Sequence, residues 1–287
     1  MRFGFVLKRG KEEARHVARD LIELLGSLGC ASVMPREDVA GDATEFPGAT
    51  LVPGQELGPA IDALVVLGGD GTFLHGAGLV ADHGVPLLGI NLGSLGFMTH
   101  WTLPEARDVV RAAASGQLDV EERMRLRVSV VENGTTVVER NALNEAVLTQ
   151  RSMARLLDLE AESDGQPIAS FKADGVIVAS PTGSTAYSLA AGGPILTPQV
   201  DAMVLTPICP HTLTYRPVVL RADRRLIVKN VSPSMVSLTL DGQWGRELPP
   251  GAHVEVSKAE RPARLYRPNH PFFTVLRQKL RWGERQG

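Results

Sequence analysis

The stretch from Ala63 to Thr72 constrains the fold more than any other part of the sequence. Ala63–Leu67 is a short, apolar, valine-rich run, which is typical of a strand buried on both faces. It leads directly into Gly68-Gly69-Asp70-Gly71-Thr72. A buried strand that ends in a glycine-rich turn is where α/β proteins bind phosphate, because glycines let backbone N–H groups converge on an anion. The residues alone leave open an ordinary tight turn with a solvated Asp70.

Asp70 is the unexpected residue of this turn, because a carboxylate repels phosphate. Two tasks would explain it. The carboxylate could hold a divalent cation that offsets the phosphate charge, or it could accept a proton from an attacking hydroxyl group. Both tasks predict a phosphoryl-transfer site at the end of this strand.

Composition excludes several classes of protein. The 287 residues, 44% of them hydrophobic and 22% charged, predict a soluble globular protein with two cores. The net charge of −2 gives no broad basic surface for nucleic acid or for an anionic membrane. No apolar run approaches the ~20 residues that span a bilayer, and the first residues do not read as a signal peptide. Cys30 and Cys209 lie far apart and predict a reducing, cytoplasmic compartment, with both thiols packed and no structural zinc.

The N-terminal part of the chain alternates between strand and helix patterns. Strands are predicted at Phe3–Leu7, Ala31–Met34, Ala63–Leu67 and Pro86–Ile90, and helices at Lys11–Leu28, Thr72–His83 and Leu103–Ser115. Residues 35–60 lack periodicity and predict a mobile surface loop. This β-α-β-α order predicts an α/β domain over residues 1–117, with a doubly wound, Rossmann-like parallel sheet.

From Leu118 onward the pattern changes to strands and hairpins. Asn133-Gly134 and Asp164-Gly165 predict two tight hairpins. Further strands are predicted at 175–179, 203–208, 225–231, 235–240, 252–257 and 263–267. An all-β domain is therefore expected over residues 118–268. A final helix from Pro271 to about Trp282, within residues 269–287, is expected to return to the first domain.

A row of arginines and a glycine motif each allow two interpretations. Arg123, Arg125 and Arg127 alternate with apolar residues, which predicts a solvated basic face, with a phosphate contact as the alternative. Residues 76–81 satisfy a loose Gly-x-Gly-x-x-Ala pattern. Because this pattern falls inside a predicted helix, it favours close helix packing over dinucleotide binding.

Polar residues in the β-rich region form further candidate sites. Asn144-Glu145 is costly to bury unless it is bonded, so it is either an exposed turn or a ligand contact. Residues 180–188 carry six hydroxyl side chains, more than a structural turn needs, which predicts ligand binding near a helix start. His211, in a two-proline loop, is either an acid/base group or a loop anchor. Asp241-Gly242-Gln243 reads as a turn.

Taken together, these motifs resemble those of the bacterial ATP-dependent NAD kinase family. The matching segments occur in the expected order, and they are Gly68–Thr72, Asn91-x-Gly93-x-x-Gly96-Phe97, Asn144-Glu145, Asp174-Gly175, Thr182–Ser188, Gly192-Gly193-Pro194, Pro210–Leu213, Arg216-Pro217 and Asp241-Gly242-Gln243. The signature turn alone also occurs in lipid kinases and phosphofructokinases. The Thr182–Pro194 run together with Asn144-Glu145 is specific.

The resemblance implies a role for each matching residue. Asp70 would be the general base that deprotonates the 2′-hydroxyl of the adenosine ribose of NAD. The transferring phosphate and the pyrophosphate would lie against Gly68, Gly69, Gly71 and Thr72. NAD would be bound by Asp70, Gly71, Asn144, Glu145, Arg155, Lys172, Asp174, Thr185, Ala186, Tyr187, Ser188, Leu189, Ala190 and Gln243. Of these, Asp174 would contact the nicotinamide end, and Ala190 departs from the Ser that relatives often have.

The implied reaction is phosphorylation of NAD by ATP, with Mg²⁺ carried by ATP and no dedicated protein ligand for the metal. The family pattern implies a homodimer or homotetramer in the cytoplasm, with no nucleic-acid or membrane partner. Two alternatives remain at this stage. One is a lipid or sugar kinase of related fold, and the other is a non-catalytic sensor of dinucleotides.

Overall fold

The computed structural model describes residues 1–39, 44–93, 95–150, 156–268 and 272–281. These residues divide into two compact units. The first unit comprises Met1–Glu122 together with Ala263–Gly287, and the second comprises Arg123–Pro262. The chain therefore leaves the first unit once and returns to it near the C-terminus.

An eight-stranded sheet forms the centre of the first unit. Its strands are β1 (Arg2–Leu7), β2 (Ala31–Pro35), β3 (Ala49–Val52), β4 (Ala63–Leu67), β5 (Pro86–Asn91), β6 (Trp101–Thr102), β7 (Val120–Arg123) and β20 (Ala263–Tyr266). The order is β3-β2-β1-β4-β5-β20-β7, and β6 also pairs with β5. The pairs from β3 to β20 are parallel. The predicted doubly wound sheet is confirmed.

Helices cover this sheet and bury its apolar strands. They are α1 (Glu12–Ser27), α2 (Leu57–Ala60), α3 (Asp70–Val80), α4 (Ala106–Ala114) and α6 (Phe272–Leu280). All five residues of β4 are buried, as its continuous apolar run requires. Helix α1 is amphipathic, and one of its faces packs on the sheet through residues such as Leu21 and Leu25. Helix α6 belongs to the first unit, where Val275 and Leu276 are buried.

Two parts of the first unit differ from the sequence predictions. Residues 35–60 were expected to be a loop, but they contain β3, which pairs in parallel with β2, and the short helix α2. Because β3 has four residues and lies at the sheet edge, it shows no buried apolar run. The predicted strand at 263–267 exists, but it pairs with β5 in the parallel sheet. Leu118–Glu122 also belongs to the first unit, so the units differ from the predicted domain 118–268 at both ends.

Two six-stranded antiparallel sheets form the second unit. One has the order β15-β14-β13-β10-β17-β18 and the other β12-β11-β16-β19-β8-β9. Their strands are β8 (Leu126–Glu132), β9 (Thr135–Ala142), β10 (Glu145–Gln150), β11 (Leu157–Ser163), β12 (Gln166–Ala173), β13 (Gly175–Ala179), β14 (Ala202–Ile208), β15 (Val218–Arg221), β16 (Leu226–Asn230), β17 (Val236–Leu240), β18 (Trp244–Leu248) and β19 (His253–Lys258). One apolar core holds side chains from both sheets, including Leu148, Val178, Leu205, Val228 and Val254.

Local sequence signals place the hairpins of this unit correctly. Asn133-Gly134 joins β8 to β9, and Asp164-Gly165 joins β11 to β12. All four residues have φ between 49° and 79°, as a two-residue turn of this type requires. The strands β15 and β18 were not predicted. Both are at sheet edges. Strand β18 has no continuous apolar run, and β15 has only the three apolar residues Val218-Val219-Leu220, of which the two valines are exposed.

Two side-chain environments also differ from expectation. Arg123 and Arg125 are buried, whereas a solvated face was predicted. Arg125 Nε donates to the carbonyl oxygen of Arg261 at 2.9 Å, and this bond offsets part of the cost of burying the guanidinium group. Cys209 is exposed with φ of 44°, whereas it was expected to be a packing residue.

Candidate active site

Asp70 lies where strand β4 passes into helix α3 in the first unit. Strand β4 ends at Leu67, Gly69 precedes the helix in an extended conformation, and Asp70 is the first helical residue. The glycine-rich turn is therefore shorter than predicted, since the helix begins two residues before Thr72. Placing a carboxylate in the first turn of a helix is favourable, because the helix dipole is positive there.

A loop that follows β5 fixes the Asp70 carboxylate. Asp70 Oδ2 accepts a hydrogen bond from the Phe97 N–H at 2.9 Å, and Asp70 Oδ1 accepts from the Met98 N–H at 3.0 Å. The Thr99 hydroxyl donates to Oδ1 at 3.3 Å. Thr99 also accepts a bond from the Asn91 amide at 2.9 Å. The two glycine-containing motifs recognised separately in the sequence thus form one site.

At several positions of these motifs a side chain would clash with neighbouring atoms, which explains why glycine is present. A Cβ atom on Gly96 would overlap Asp70 Oδ1 and Thr99 Oγ1, and one on Gly68 would overlap the Thr72 side chain. A Cβ atom on Gly89 would lie 2.8 Å from the carbonyl oxygen of Met98. Close approach, rather than a special backbone angle, therefore demands glycine here. Gly69 and Gly71 have no neighbouring atom within 4 Å of such a Cβ, so the space in front of them is open.

Asn144 and Glu145 form a second group of site residues, in the second unit at the start of β10. Both are buried, so the interpretation as an exposed turn is wrong. Asp241 Oδ2 accepts from the Leu143 N–H at 2.7 Å, and Asp241 Oδ1 accepts from the N–H groups of Asn144 and Glu145 at 2.7 and 3.0 Å. Asp241 does form a turn, as predicted, but its side chain also organises this group.

Glu145 is electrostatically unusual. Burial, and secondarily the neighbouring Asp241 carboxylate, raises its pKa from an ordinary 4.5 to about 8. Burial also raises the pKa of Asp241, although the three N–H donors oppose that shift. Strongly perturbed carboxyl groups that lie together are typical of functional sites.

Three polar atoms at this end of the sheet have no hydrogen-bond partner in the described part of the chain. They are Asn144 Oδ1, Glu145 Oε2 and Thr182 Oγ1. Strands β10 and β13 are antiparallel, with Glu145 opposite Ala179, so the segment that carries Thr182 follows directly beside Asn144. Unpaired buried polar atoms are costly, and a bound ligand with hydroxyl and amino groups would satisfy them.

Most hydroxyls of the segment 180–188 bond to the chain itself, contrary to the expectation that they serve a ligand. Ser180 Oγ donates to the Leu143 carbonyl at 2.5 Å, and Ser184 Oγ donates to the Pro181 carbonyl at 2.7 Å. Ser188 Oγ lies 3.0 Å from Thr206 Oγ1 and is fully buried. The segment forms a 3₁₀ turn over Gly183–Thr185 and the short helix α5 (Tyr187–Ala190) rather than a longer helix. A sequence pattern cannot distinguish these internal bonds from ligand contacts.

The remaining predicted residues of this segment differ in accessibility. Thr185, Ala186 and Leu189 are partly exposed, whereas Tyr187 and Ala190 are exposed. The Tyr187 side chain has 43% of its surface exposed and offers an aromatic face. These residues can contact a ligand without a rearrangement of the core. Ser188, in contrast, is buried and holds α5 through its hydrogen bond with Thr206.

A third group lies at the other end of β10 and β13. Gln150 Nε2 donates to Asp174 Oδ1 at 3.1 Å, and the Gln150 N–H donates to the Asp174 carbonyl at 3.1 Å. Lys172 is exposed and lies 3.7 Å from Asp158. Five residues of strand separate this group from Glu145, which is about 17 Å at the rise of an extended chain. Gln243 is exposed in the turn after β17, and Arg155 lies outside the described residues.

His211 is held by its backbone. Its N–H donates to the Lys172 carbonyl at 2.8 Å, and the residue is exposed. This backbone contact ties the two-proline loop to β12.

The described residues contain no group of three or more His, Cys, Asp or Glu side chains that could hold a metal ion. None of their helices has the length and apolar composition needed to cross a membrane.

Comparisons with known proteins agree with this arrangement. The family model described as the ATP-NAD kinase N-terminal domain matches residues 3–118, and that of the C-terminal domain matches residues 143–268. The NAD kinase of Geotalea daltonii is 49% identical over 226 residues, which cover 78% of this chain and 80% of that protein. The NAD kinase of Citrifermentans bemidjiense is 43% identical over 272 residues, 94% of each chain. The chain belongs to the NAD kinase family.

Solved structures of this family have the same fold. Yeast NADH kinase in complex with NADH has a TM-score of 0.91 at 26% identity, covering 99% of this chain and 88% of the yeast chain. The NAD kinase of Archaeoglobus fulgidus in complex with ATP has a TM-score of 0.77 at 27% identity, covering 98% and 99%. The resemblance inferred from the motifs is confirmed.

Sequence reasoning missed two residues that organise the side-chain groups of the second unit. Asp241 holds Leu143–Glu145, and Gln150 holds Asp174. Asp241 was recognised as part of a turn and of a family motif without a role of its own, and no local pattern pairs it with a segment nearly 100 positions earlier in the chain. A positive φ at a non-glycine residue was the available structural signal, since Asp241 has φ of 52°.

Proposed function

We propose that this chain is an NAD kinase that transfers the γ-phosphoryl group of ATP to the 2′-hydroxyl of the adenosine ribose of NAD, giving NADP and ADP. The observation that carries the proposal is the Asp70 carboxylate, held by three donors at the end of β4, in a chain of this family. Relatives named NAD kinase cover nearly the whole chain, which supports the reaction class.

Asp70 acts as the general base in this proposal. Its carboxylate accepts the proton of the ribose hydroxyl as the oxygen attacks phosphorus. The bonds from Phe97, Met98 and Thr99 keep it in one orientation, so the enzyme does not have to order it during the reaction. The open space at Gly69 and Gly71 lets the phosphate groups approach the backbone N–H groups of the turn.

The second unit supplies contacts for the dinucleotide. Asn144 Oδ1, Glu145 Oε2 and Thr182 Oγ1 are the unpaired groups that bind the adenosine part, together with Thr185, Ala186 and Tyr187. Asp174 binds the nicotinamide end together with Lys172, which precedes it by two residues. Gln243 lies at the other end of β10, because it follows Asp241, whose N–H donates to the Glu145 carbonyl. Ser188 acts by supporting α5 through its bond to Thr206.

Magnesium enters this reaction with ATP. The carboxylate oxygens of Asp70 face backbone and hydroxyl donors, which is not the arrangement of a dedicated metal site, so the triphosphate itself holds the cation. Bound Mg²⁺ neutralises part of the triphosphate charge.

We also propose a cytoplasmic homodimer or homotetramer. Size-exclusion chromatography with light scattering would test the oligomeric state.

The test is NADP formation from NAD, ATP and Mg²⁺, read by an NADP-specific dehydrogenase, with Asp70→Asn alongside. We expect the variant to retain NAD binding and to lose most of its turnover, by a factor of about 10²–10⁴ for a missing general base. Asp62→Asn is the matched control, because Asp62 precedes β4, is exposed and has a carboxylate that accepts from the Arg2 N–H at 2.7 Å.

Three outcomes separate the alternatives. Equal turnover in Asp70→Asn and wild type would remove Asp70 from the role of base. NAD binding without any turnover in the wild type would favour a dinucleotide sensor. Neither binding nor turnover with NAD would point to a lipid or sugar hydroxyl as the acceptor.

A further inference from the structure

The segment Leu143–Glu145 presents three successive backbone N–H groups to one carboxylate. Asp241 Oδ2 accepts from Leu143 at 2.7 Å, and Oδ1 accepts from Asn144 at 2.7 Å and from Glu145 at 3.0 Å. Successive N–H groups that converge in this way form a nest, which ordinarily binds an external anion. In this protein the anion is a side chain of the chain itself.

The carbonyl groups of the same segment are fixed from the other direction. The Leu143 carbonyl accepts from the Ser180 hydroxyl at 2.5 Å, and the Asn144 carbonyl accepts from the Ser180 N–H at 2.8 Å. A Cβ atom on Gly183 would overlap the Asn144 carbonyl, so the two chains are in close contact. The Glu145 carbonyl accepts from the Asp241 N–H at 3.0 Å. With both sides of the backbone held, the directions of the Asn144 and Glu145 side chains are determined.

Asp241 also interacts electrostatically with two charged residues near Leu143–Glu145, namely Arg125 and Glu145. Arg125 is buried, and its positive charge stabilises the Asp241 carboxylate. The Asp241 charge in turn disfavours ionisation of Glu145, which burial already disfavours. Asp241 thus influences both the position of Glu145 and its protonation.

We propose that Asp241 is the positioning residue of the adenosine site: its carboxylate fixes the backbone of Leu143–Glu145 and so aims Asn144 Oδ1 and Glu145 Oε2 at the dinucleotide. This inference rests on the proposed function. Asp241 needs no contact with the substrate, because it acts through the three N–H groups. Pre-organised acceptors bind more tightly, since the free protein pays the cost of ordering them in advance.

Asp241→Asn tests the proposal with little change in side-chain shape. The amide has one acceptor oxygen in place of two, so at least one of the three N–H groups must face an NH₂ group. We expect the KM for NAD to rise about tenfold to a hundredfold, the range for a lost bond to a charged group. The KM for ATP should stay close to its wild-type value, and kcat at saturating NAD should fall much less than kcat/KM for NAD.

The pH profile provides a readout that general instability would not change. In the wild type the KM for NAD should change across the Glu145 pKa of about 8. Asn at position 241 carries no negative charge, so ionisation of Glu145 becomes easier and its pKa falls. The transition should therefore move to lower pH in Asp241→Asn, and it should vanish in Glu145→Gln.

Ser232→Ala is the matched control for stability. The Ser232 hydroxyl accepts from the Asp158 N–H at 2.8 Å, donates to the Asp158 carbonyl at 3.1 Å and is buried in the same unit. Its removal should lower the melting temperature without changing the KM for NAD or its pH profile. If both variants raised that KM in proportion to their loss of stability, Asp241 would have a structural role only.

The remaining outcomes are distinct. A KM and a pH profile in Asp241→Asn that match the wild type would overturn the inference and leave the proposed function intact. A wild-type protein with no NAD-dependent turnover would overturn the proposed function itself. If Asp241→Asn failed to fold, Asp241→Glu, which retains the charge and displaces the carboxylate, must show the rise in KM; an unchanged KM would contradict the proposal.

Discussion

At the scale of single residues, two carboxylates have comparable surroundings, although we propose different tasks for them. Asp70 accepts from two backbone N–H groups and a hydroxyl, and Asp241 accepts from three N–H groups. Asp70 lies beside the open glycine turn, where a substrate hydroxyl can approach. Asp241 has its partners within its own chain. Both residues are partly exposed, and each is followed by a glycine with open space in front of it. Substitution therefore separates the two proposed tasks, because it should lower kcat at Asp70 and raise the KM for NAD at Asp241.

Gly96→Ala should damage catalysis through the position of Asp70. The added methyl group would overlap Asp70 Oδ1 and Thr99 Oγ1, so the carboxylate must move. A displacement of about 1 Å at a reacting group can cost on the order of 10²-fold in rate, and we expect a kcat loss of that order. Steady-state assays of NADP formation measure it.

Gly93→Ala is the control in the same loop. The nearest atom to a Cβ there is Asn91 Oδ1 at 3.9 Å, an ordinary contact distance. Its turnover should stay close to that of the wild type. Equal losses in the two variants would show that the loop as a whole, and not the contact with Asp70, is responsible.

At the scale of elements, helix α3 shows why a glycine pattern must be interpreted with its structure. Gly76 and Gly78 both fall in the helix and were predicted to serve close packing. A Cβ atom on Gly76 would lie 3.0 Å from Leu64 Cδ2 and 3.1 Å from Val66 Cγ2, whereas one on Gly78 would meet nothing within 4 Å. Packing on β4 therefore explains the first glycine and not the second.

Alanine at these two positions should have opposite effects on stability. Gly78→Ala should raise the free energy of unfolding by about 0.5–1 kcal/mol, because alanine favours a helix more than glycine does. Gly76→Ala gains the same propensity but must push apart a closely packed contact, which typically costs about 1–3 kcal/mol. We expect a net loss. Urea denaturation of both variants measures the difference, and a stabilised Gly76→Ala would contradict the packing explanation.

At the scale of the whole molecule, the chain path decides the composition of the first unit. Strand β20 comes from the C-terminal part of the chain and lies between β5 and β7 in the parallel sheet. Leu265 and Tyr266 in this strand are buried. The first unit thus depends on residues that follow the entire second unit in sequence.

A chain that ends at Pro262 should lose order in the first unit. Without β20, the first residues of β5, Pro86 and Leu87, lose the strand that pairs with them, and the amides there should exchange with solvent faster. Hydrogen exchange at Leu87 and Leu88 measures this. A chain that ends at Pro268 retains β20 and loses only the residues from 269 onward, so it separates the strand from α6. Equal protection of β5 in both shortened chains would show that β20 contributes little.

The local sequence determined much of this protein, since short-range chemistry is sufficient for several of its features. A valine-rich run predicts the buried strand β4, Asn133-Gly134 and Asp164-Gly165 supply the positive φ angles of two hairpins, and ordered motifs indicate the family. Each single strand, turn and motif depends on residues within a few positions of one another.

Only the tertiary structure decided which distant groups meet. It places β20 in the first sheet, gives Ser180 and Ser184 to backbone partners, and brings Asp241 to Leu143–Glu145. It also raises the pKa of Glu145 to about 8, through burial and a neighbouring carboxylate. Desolvation, strand pairing and side-chain contacts across about 100 positions depend on the folded arrangement, because neither burial nor proximity is a property of a local segment.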